Sequence, residues 1–324
     1  MDKKINLAIC ILFALLFFVI ALNNEFEMLG DTQDYLAMAH SFLQGKPMQD
    51  PSRPYELPLI FHPPLYSVAL AGFFALFGAS YAAAKIVSFI FAILSIIAFY
   101  FLLGKIEVKH KELILLAYST SAVLLATSAR ILSDTLFMLL FIAGTYFVLE
   151  YVKKEKITDL SGVAAAALFA LAFYARVAAA FLMVAVVAYF LLQKKPSMGF
   201  ISSQWKKAAF VAIIFGLLVL PWLAFYANSQ FLHPSEIEKP GSYLNWATGT
   251  WGEAGYGVAG IAFRFVGNLF YFIAEGIPKT ILPILLPAFF YLRNTIAMPV
   301  LLLIGLATFY FFGKELWKKK TSLF

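Results

Sequence analysis

The sequence predicts an all-α polytopic membrane protein with about 8–10 transmembrane helices and an outward first loop that contains amphipathic juxtamembrane helices. Three observations carry this prediction. Of the 324 residues, 62% are hydrophobic and only 13% are charged, whereas a soluble domain carries roughly 25% charge. The mean hydropathy is +0.83. Apolar runs long enough for a bilayer core of about 30 Å, which takes about 20 helical residues, recur along the whole chain. Residues 1–324 therefore read as a single integral membrane domain.

The N-terminus, "MDKKINLAICILFALLFFVIAL", reads as an uncleaved first span. Its apolar stretch from Ile5 to Leu22 is long for a signal core, and "IALNNEF" is a poor small-x-small cleavage site. The formal charge of +7 does not point to nucleic acid, because the basic residues sit in short clusters between apolar runs. These clusters are Lys3–Lys4, Lys105 to Lys111, Lys153 to Lys156, Lys194–Lys195 with Lys206–Lys207, and Lys314 to Lys320. They read as cytoplasmic topology signals. The one cysteine, Cys10, allows no intrachain disulfide.

If every basic cluster is cytoplasmic, each intervening stretch crosses an even number of times. This parity predicts spans at about 5–22, 81–103, 113–129, 134–151, 160–175, 177–192, 208–227 and 295–313. The outward segments are then a first loop at 23–80, corners near Arg130 to Asp134 and at Arg176, and a second large loop at 228–263. Segment 65–78, bounded by Pro63–Pro64 and Gly78, is too short to span and reads as an embedded or surface-lying helix. Region 264–294 is interrupted by Pro278, Pro283 and Pro287 and reads as re-entrant or as tilted half-spans. No internal repeat is apparent, which argues against inverted-repeat transporter folds.

This threading gathers Asp31, Asp34, His62, Arg130, Asp134 and Arg176 on the outward side. Ionisable groups at membrane depth are costly and are functional candidates by default. In "LGDTQDYLAMAHSFLQG" the residues Tyr35, Leu36, Ala39, Phe42 and Leu43 form an apolar helical stripe, with Gly45 as terminator. Asp31 reads as its N-cap, Asp34 as a partner of the helix dipole, and both remain candidate chemical groups. The double proline of "FHPPLYS" presents His62 at a fixed place or simply turns the chain. Arg130 and Asp134 have the spacing of an i,i+4 ion pair. Arg176 has no carboxylate near it in sequence, so it either snorkels to the interface or awaits an anionic ligand. Tyr243, Trp246, Trp251 and Tyr256 in the second loop fit an interfacial belt or a sugar-stacking surface.

Three ordered features resemble the C-type (GT-C) glycosyltransferases that use polyprenyl-phosphate sugars, a family that includes protein O-mannosyltransferases and lipid A aminoarabinose transferases. They are "GDTQDYLAMAHSFLQGK", "HPPLYSVALAGFFALFGAS" leading into "AAAKIVSFIFAIL", and "SARILSDTLFMLLFIAGTYF". The resemblance covers roughly residues 1–190. It implies inverting transfer of a sugar from a polyprenyl-phosphate-linked donor to a protein, lipid or glycan acceptor on the outer or lumenal face. Family members are usually longer, so the resemblance reads this chain as a short or truncated member. It suggests the inner membrane of a prokaryote, with the N-terminus cytoplasmic.

By the same resemblance Asp31 is the catalytic base, His62 and Arg176 contact the donor phosphate, and Asp134 is the acidic residue of the second corner; Asp34, Asp134 and Arg130 are read as serving the acceptor or supporting the site. The chemistry suits these residue types: a carboxylate activates an attacking hydroxyl or amine, and cations stabilise a departing phosphate. No D-x-D occurs, so no metal ligand is assigned and no cofactor is certain. A divalent cation between Asp31 and Asp134 stays open. Two other readings compete: a transporter or flippase of lipid-linked or anionic solutes, and an inactive scaffold of the same fold.

Overall fold

The computed structural model describes residues 3–23, 31–46, 48, 62–106, 108, 110–192 and 198–232. These residues form ten α-helices and no strand, as an all-α membrane protein requires. The expected span at 295–313, the proline-interrupted region 264–294 and the aromatic residues of the second outward loop lie outside the described residues. Two compact units divide the chain, Met1–Ser119 with Leu124–Ile237, and Thr120–Val123 with Glu238–Phe324. Of the second, the described residues are Thr120–Val123.

Helix α1 (Lys3–Ala21) is the first apolar run. The segment after α1 contributes α2 (Thr32–Leu43) and α3 (Leu65–Phe77). Gly45 and Gly78 end these two helices at φ of 68° and 84°, a left-handed backbone that glycine adopts without penalty. At 13 residues and 1.5 Å per residue, α3 is about 20 Å long, too short to cross a bilayer core. Helix α4 (Tyr81–Lys105) follows, capped by Ser80, whose Oγ accepts from the Ala83 N–H at 3.1 Å.

The run 113–129 departs from expectation. It is two short helices, α5 (Lys111–Ser119) and α6 (Ala122–Ser128), rather than one span. The break falls in "YSTSA", where hydroxyl side chains compete for backbone groups. Ser119 Oγ donates to Leu116 O at 3.0 Å.

Beyond it come α7 (Asp134–Val152), α8 (Leu160–Ala175), α9 (Ala179–Leu192) and α10 (Met198–Leu232). Among the described residues, α4, α7 and the Ser203–Asn228 part of α10 are long and apolar enough to span a membrane. Asn6–Ala21, Leu160–Ala175 and Ala179–Leu191 are apolar but shorter. The expected span at 208–227 thus lies inside a single longer helix.

Side-chain contacts fix which helix ends lie together. Lys85 at the start of α4 donates to Asn23 beyond the end of α1. The start of α7 meets the end of α8 through an Asp134–Arg176 ion pair, and Tyr174 OH donates to Leu218 O of α10 at 3.0 Å. At the other end, Lys105 of α4 pairs with Glu150 of α7. Lys207 of α10 donates to Val152 O at 3.1 Å and to Lys154 O. Asp159 caps α8 there by accepting from the Ser161 N–H at 2.9 Å, and its bonds to Ser161 hold its carboxyl below the usual carboxylate range. One end of the bundle, the basic end, holds Lys105, Lys154 and Lys207 along with Glu150 and Asp159, and the opposite, acidic end holds Asp134 with Arg176 and Lys85.

A core cluster that includes Tyr35, Met38, Tyr66, Leu70, Leu136, Phe173 and Trp222 packs α2 and α3 onto the acidic end. The most extensive helix pair is α7 with α8. Gly162 lets α8 approach Tyr151, and Gly144 lets α7 approach Phe169.

Candidate active site

Helix α2 buries Thr32, Tyr35, Met38 and Ala39. This stripe is rotated from the expected one, since Leu43 is 41% exposed and Met38 is fully buried. The rotation follows from what the helix meets. Its inner face lies on α3 and on the corner Ile131 to Ser133 before α7, so the polar Thr32 turns inward with Tyr35.

Asp31 occupies the N-cap position of α2, but its carboxylate makes no capping bond. The expected cap is absent because Asp31 has helical φ and ψ, −74° and −11°, which is not the extended geometry that turns a side chain back onto the first N–H groups. The carboxylate instead faces His62, with Oδ1 3.8 Å from Nε2. Asp34, one turn on, puts Oδ2 3.2 Å from the same nitrogen. The imidazole thus sits between two carboxylates, 21% exposed, and Asp31 at 38% is the most open of the three.

His62 also leans on the Tyr35 ring, with centroids 5.0 Å apart, and Tyr66 meets that ring edge-on at 5.0 Å. The hydroxyls of these tyrosines are spent in the protein. Tyr35 OH shares a 2.7 Å hydrogen bond with Ser133 Oγ, and Tyr66 OH a 2.5 Å bond with Ser88 Oγ of α4. Burial pushes both phenols up, against the opposing effect of these bonds.

The second charged group is Asp134 with Arg176. The local spacing suggested Arg130 as the partner of Asp134, and Arg176 looked solitary. The carboxylate that meets Arg176 is 42 positions away in sequence, brought there by the α7–α8 hairpin. Arg130 lies on the same corner, its N–H bonded to Thr127 O at 3.3 Å. Tyr35 meets His62 with its ring and Ser133, the residue before Asp134, with its hydroxyl, so one side chain links the surroundings of the two charged groups.

Asp134 is committed to Arg176, and among the described residues no three His, Cys, Asp or Glu side chains are placed to hold a metal ion. A divalent cation between Asp31 and Asp134 has no ligand set there. Sequence reasoning missed Thr32, Ser133 and Lys85. Lys85 is almost fully buried in the apolar run "AAAKIVSF", and a lysine within such a run was the available signal. Ser133 stands beside a candidate acid, and Tyr35 was hidden by its place in an apolar stripe.

The arrangement can take a proton at a carboxylate, relay or hold it at an imidazole, and hold an anion at an arginine whose side chain is 34% exposed. Neither a curated protein nor a solved structure matches the chain. The family model described as dolichyl-phosphate-mannose-protein mannosyltransferase matches residues 61–225. This range takes in His62, Arg130, Asp134 and Arg176, and it begins downstream of Asp31 and Asp34. With just over half of its length matched, and with membrane-length helices, the chain belongs to the dolichyl-phosphate-mannose-protein mannosyltransferase family and is a membrane glycosyltransferase of the C type.

Proposed function

We propose that the protein transfers a sugar from a polyprenyl-phosphate donor to a protein, lipid or glycan acceptor at the outer or lumenal face of its membrane, with inversion at the anomeric carbon. The observation that carries this reading is the pair of charged groups at one end of the bundle: an open carboxylate beside an imidazole, and an arginine oriented by its own carboxylate. In a single displacement the acceptor hydroxyl or amine attacks the anomeric carbon, its proton passes to the base, and the bond to the phosphate oxygen breaks. Prenyl phosphate leaves with the electron pair.

Asp31 is the base, since it is the more exposed and the more loosely held of the two carboxylates near His62. Asp34 orients the imidazole. Arg176 faces the leaving phosphate with the guanidinium nitrogens that Asp134 does not use, which suits its planar, multiply donating head. His62 stands between the two carboxylates and adds a second donor for the phosphate. Arg130 lies on the corner that holds Asp134. The membrane is the inner membrane of a prokaryote, with the basic end of the bundle cytoplasmic.

The test is release of prenyl phosphate from a polyprenyl-phosphate sugar by the purified protein. Asp31→Asn is expected to reduce transfer on the order of a hundredfold or more while membrane insertion is unchanged. Turnover of that variant at the parent rate would remove Asp31 from the base role. Transbilayer movement of the lipid without release of prenyl phosphate would replace the transferase by a flippase.

A further inference from the structure

The corner before α7 is held in an unusual way. Two of its residues, Ile131 and Ser133, bond to the segment that carries α2. Thr32 Oγ1 donates to Ile131 O at 3.3 Å. Ser133 Oγ shares its 2.7 Å bond with Tyr35 OH. The next residue in the chain is Asp134, which holds Arg176.

Of these contacts, the one through Tyr35 runs from one charged group to the chain neighbour of the other. Its ring lies against His62, and its hydroxyl reaches the residue beside Asp134. The side chain is 1% exposed, so its hydroxyl has little competing water and the bond is correspondingly strong. A rigid aromatic ring with two torsions is well suited to fix a separation. Burial alone would be served as well by phenylalanine, so the hydroxyl and its long-range partner call for another reason.

We infer that Tyr35 is a positioning residue, which sets the separation between the Asp31–Asp34–His62 group and the Asp134–Arg176 pair through its hydroxyl bond to Ser133. The assignment rests on the transferase reading for its catalytic meaning, because base and leaving-group cation act on opposite sides of one anomeric carbon. Misplacement of about 1 Å between such groups is enough to cost up to a hundredfold in rate.

Two measurements test it. In the transfer assay, Tyr35→Phe and Ser133→Ala are each expected to lower kcat on the order of tenfold with donor KM nearly unchanged. The double variant should be no slower than the worse single one, because both remove the same bond. In parallel, spin labels at Gln33 and Ala178, both exposed, are introduced into a Cys10→Ala background, and the distance between them is read by electron–electron resonance. A narrow distribution in the parent should broaden in Tyr35→Phe, with helical content unchanged.

An unchanged distance distribution in Tyr35→Phe overturns the proposal, as does a kcat at the parent level or a fully additive double variant. If the parent transfers no sugar yet the distribution broadens, the transferase reading fails and the positioning contact stands. If the parent transfers sugar and the distribution does not broaden, the positioning role fails alone.

Discussion

A carboxylate at the first position of a helix has a local use for its oxygens, and Asp31 does not take it. Because its own backbone is already helical, the side chain projects outward to His62, where it is available to a hydroxyl or amine. Asp34 is 0.6 Å closer to the imidazole, so two carboxylates of nearly identical chemistry are held unequally. Arg176 shows the complementary case. Its carboxylate partner restricts the guanidinium plane, which leaves the remaining N–H groups directed rather than free to rotate. Arg176→Gln is expected to raise donor KM by about ten- to a hundredfold, the worth of one or two charge-assisted hydrogen bonds. Arg176→Lys should recover little, since an ammonium cannot engage Asp134 and a phosphate through the same planar fork. A steady-state titration of the donor reads both, and a parent-level KM in Arg176→Gln would remove this residue from donor binding.

Among the helices, the α7–α8 hairpin matters most to the site, because it alone brings Asp134 to Arg176. Its close contact depends on Gly162, where an added Cβ would stand 2.8 Å from the Tyr151 ring. That ring has nowhere to go: it is fully buried, its hydroxyl donates to Ile157 O, and Phe190 meets it edge-on at 5.9 Å. Gly162→Ala should therefore destabilise the protein by about 1–3 kcal/mol, the usual cost of overpacking. Gly216→Ala in α10 meets open space and should be neutral or stabilising by up to about 1 kcal/mol. Thermal unfolding in detergent compares the two, and equal midpoints would show that the hairpin tolerates separation. The helices themselves were legible wherever an apolar run was continuous, as in α4 and α7. The break at Thr120–Ser121 was not, because hydropathy averages over the hydroxyl residues that interrupt the backbone ladder. The Asp134–Arg176 pair was hidden for a different reason, since local spacing offered Arg130 first and only tertiary packing brings Arg176 near.

Among the described residues, the charged contacts gather at two ends of the bundle. Lys105, Glu150, Lys154, Asp159 and Lys207 meet at one end, and Asp31, Asp34, His62, Asp134 and Arg176 lie at the other. The parity argument from basic clusters requires such a sorting, and at Lys105, Lys154 and Lys207 the contacts between helix ends agree with it. What the contacts leave to the positive-inside tendency is the absolute direction. With the basic end cytoplasmic, the candidate base and the guanidinium face outward, where a lipid-linked sugar and its acceptor would meet. Single cysteines at Gln33 and Lys156, both exposed, in the Cys10→Ala background decide the matter. A membrane-impermeant maleimide should label Gln33→Cys on intact cells or spheroplasts and Lys156→Cys only after permeabilisation. The reverse pattern would put the carboxylates and Arg176 on the cytoplasmic side, and the outward transfer reaction would then be untenable.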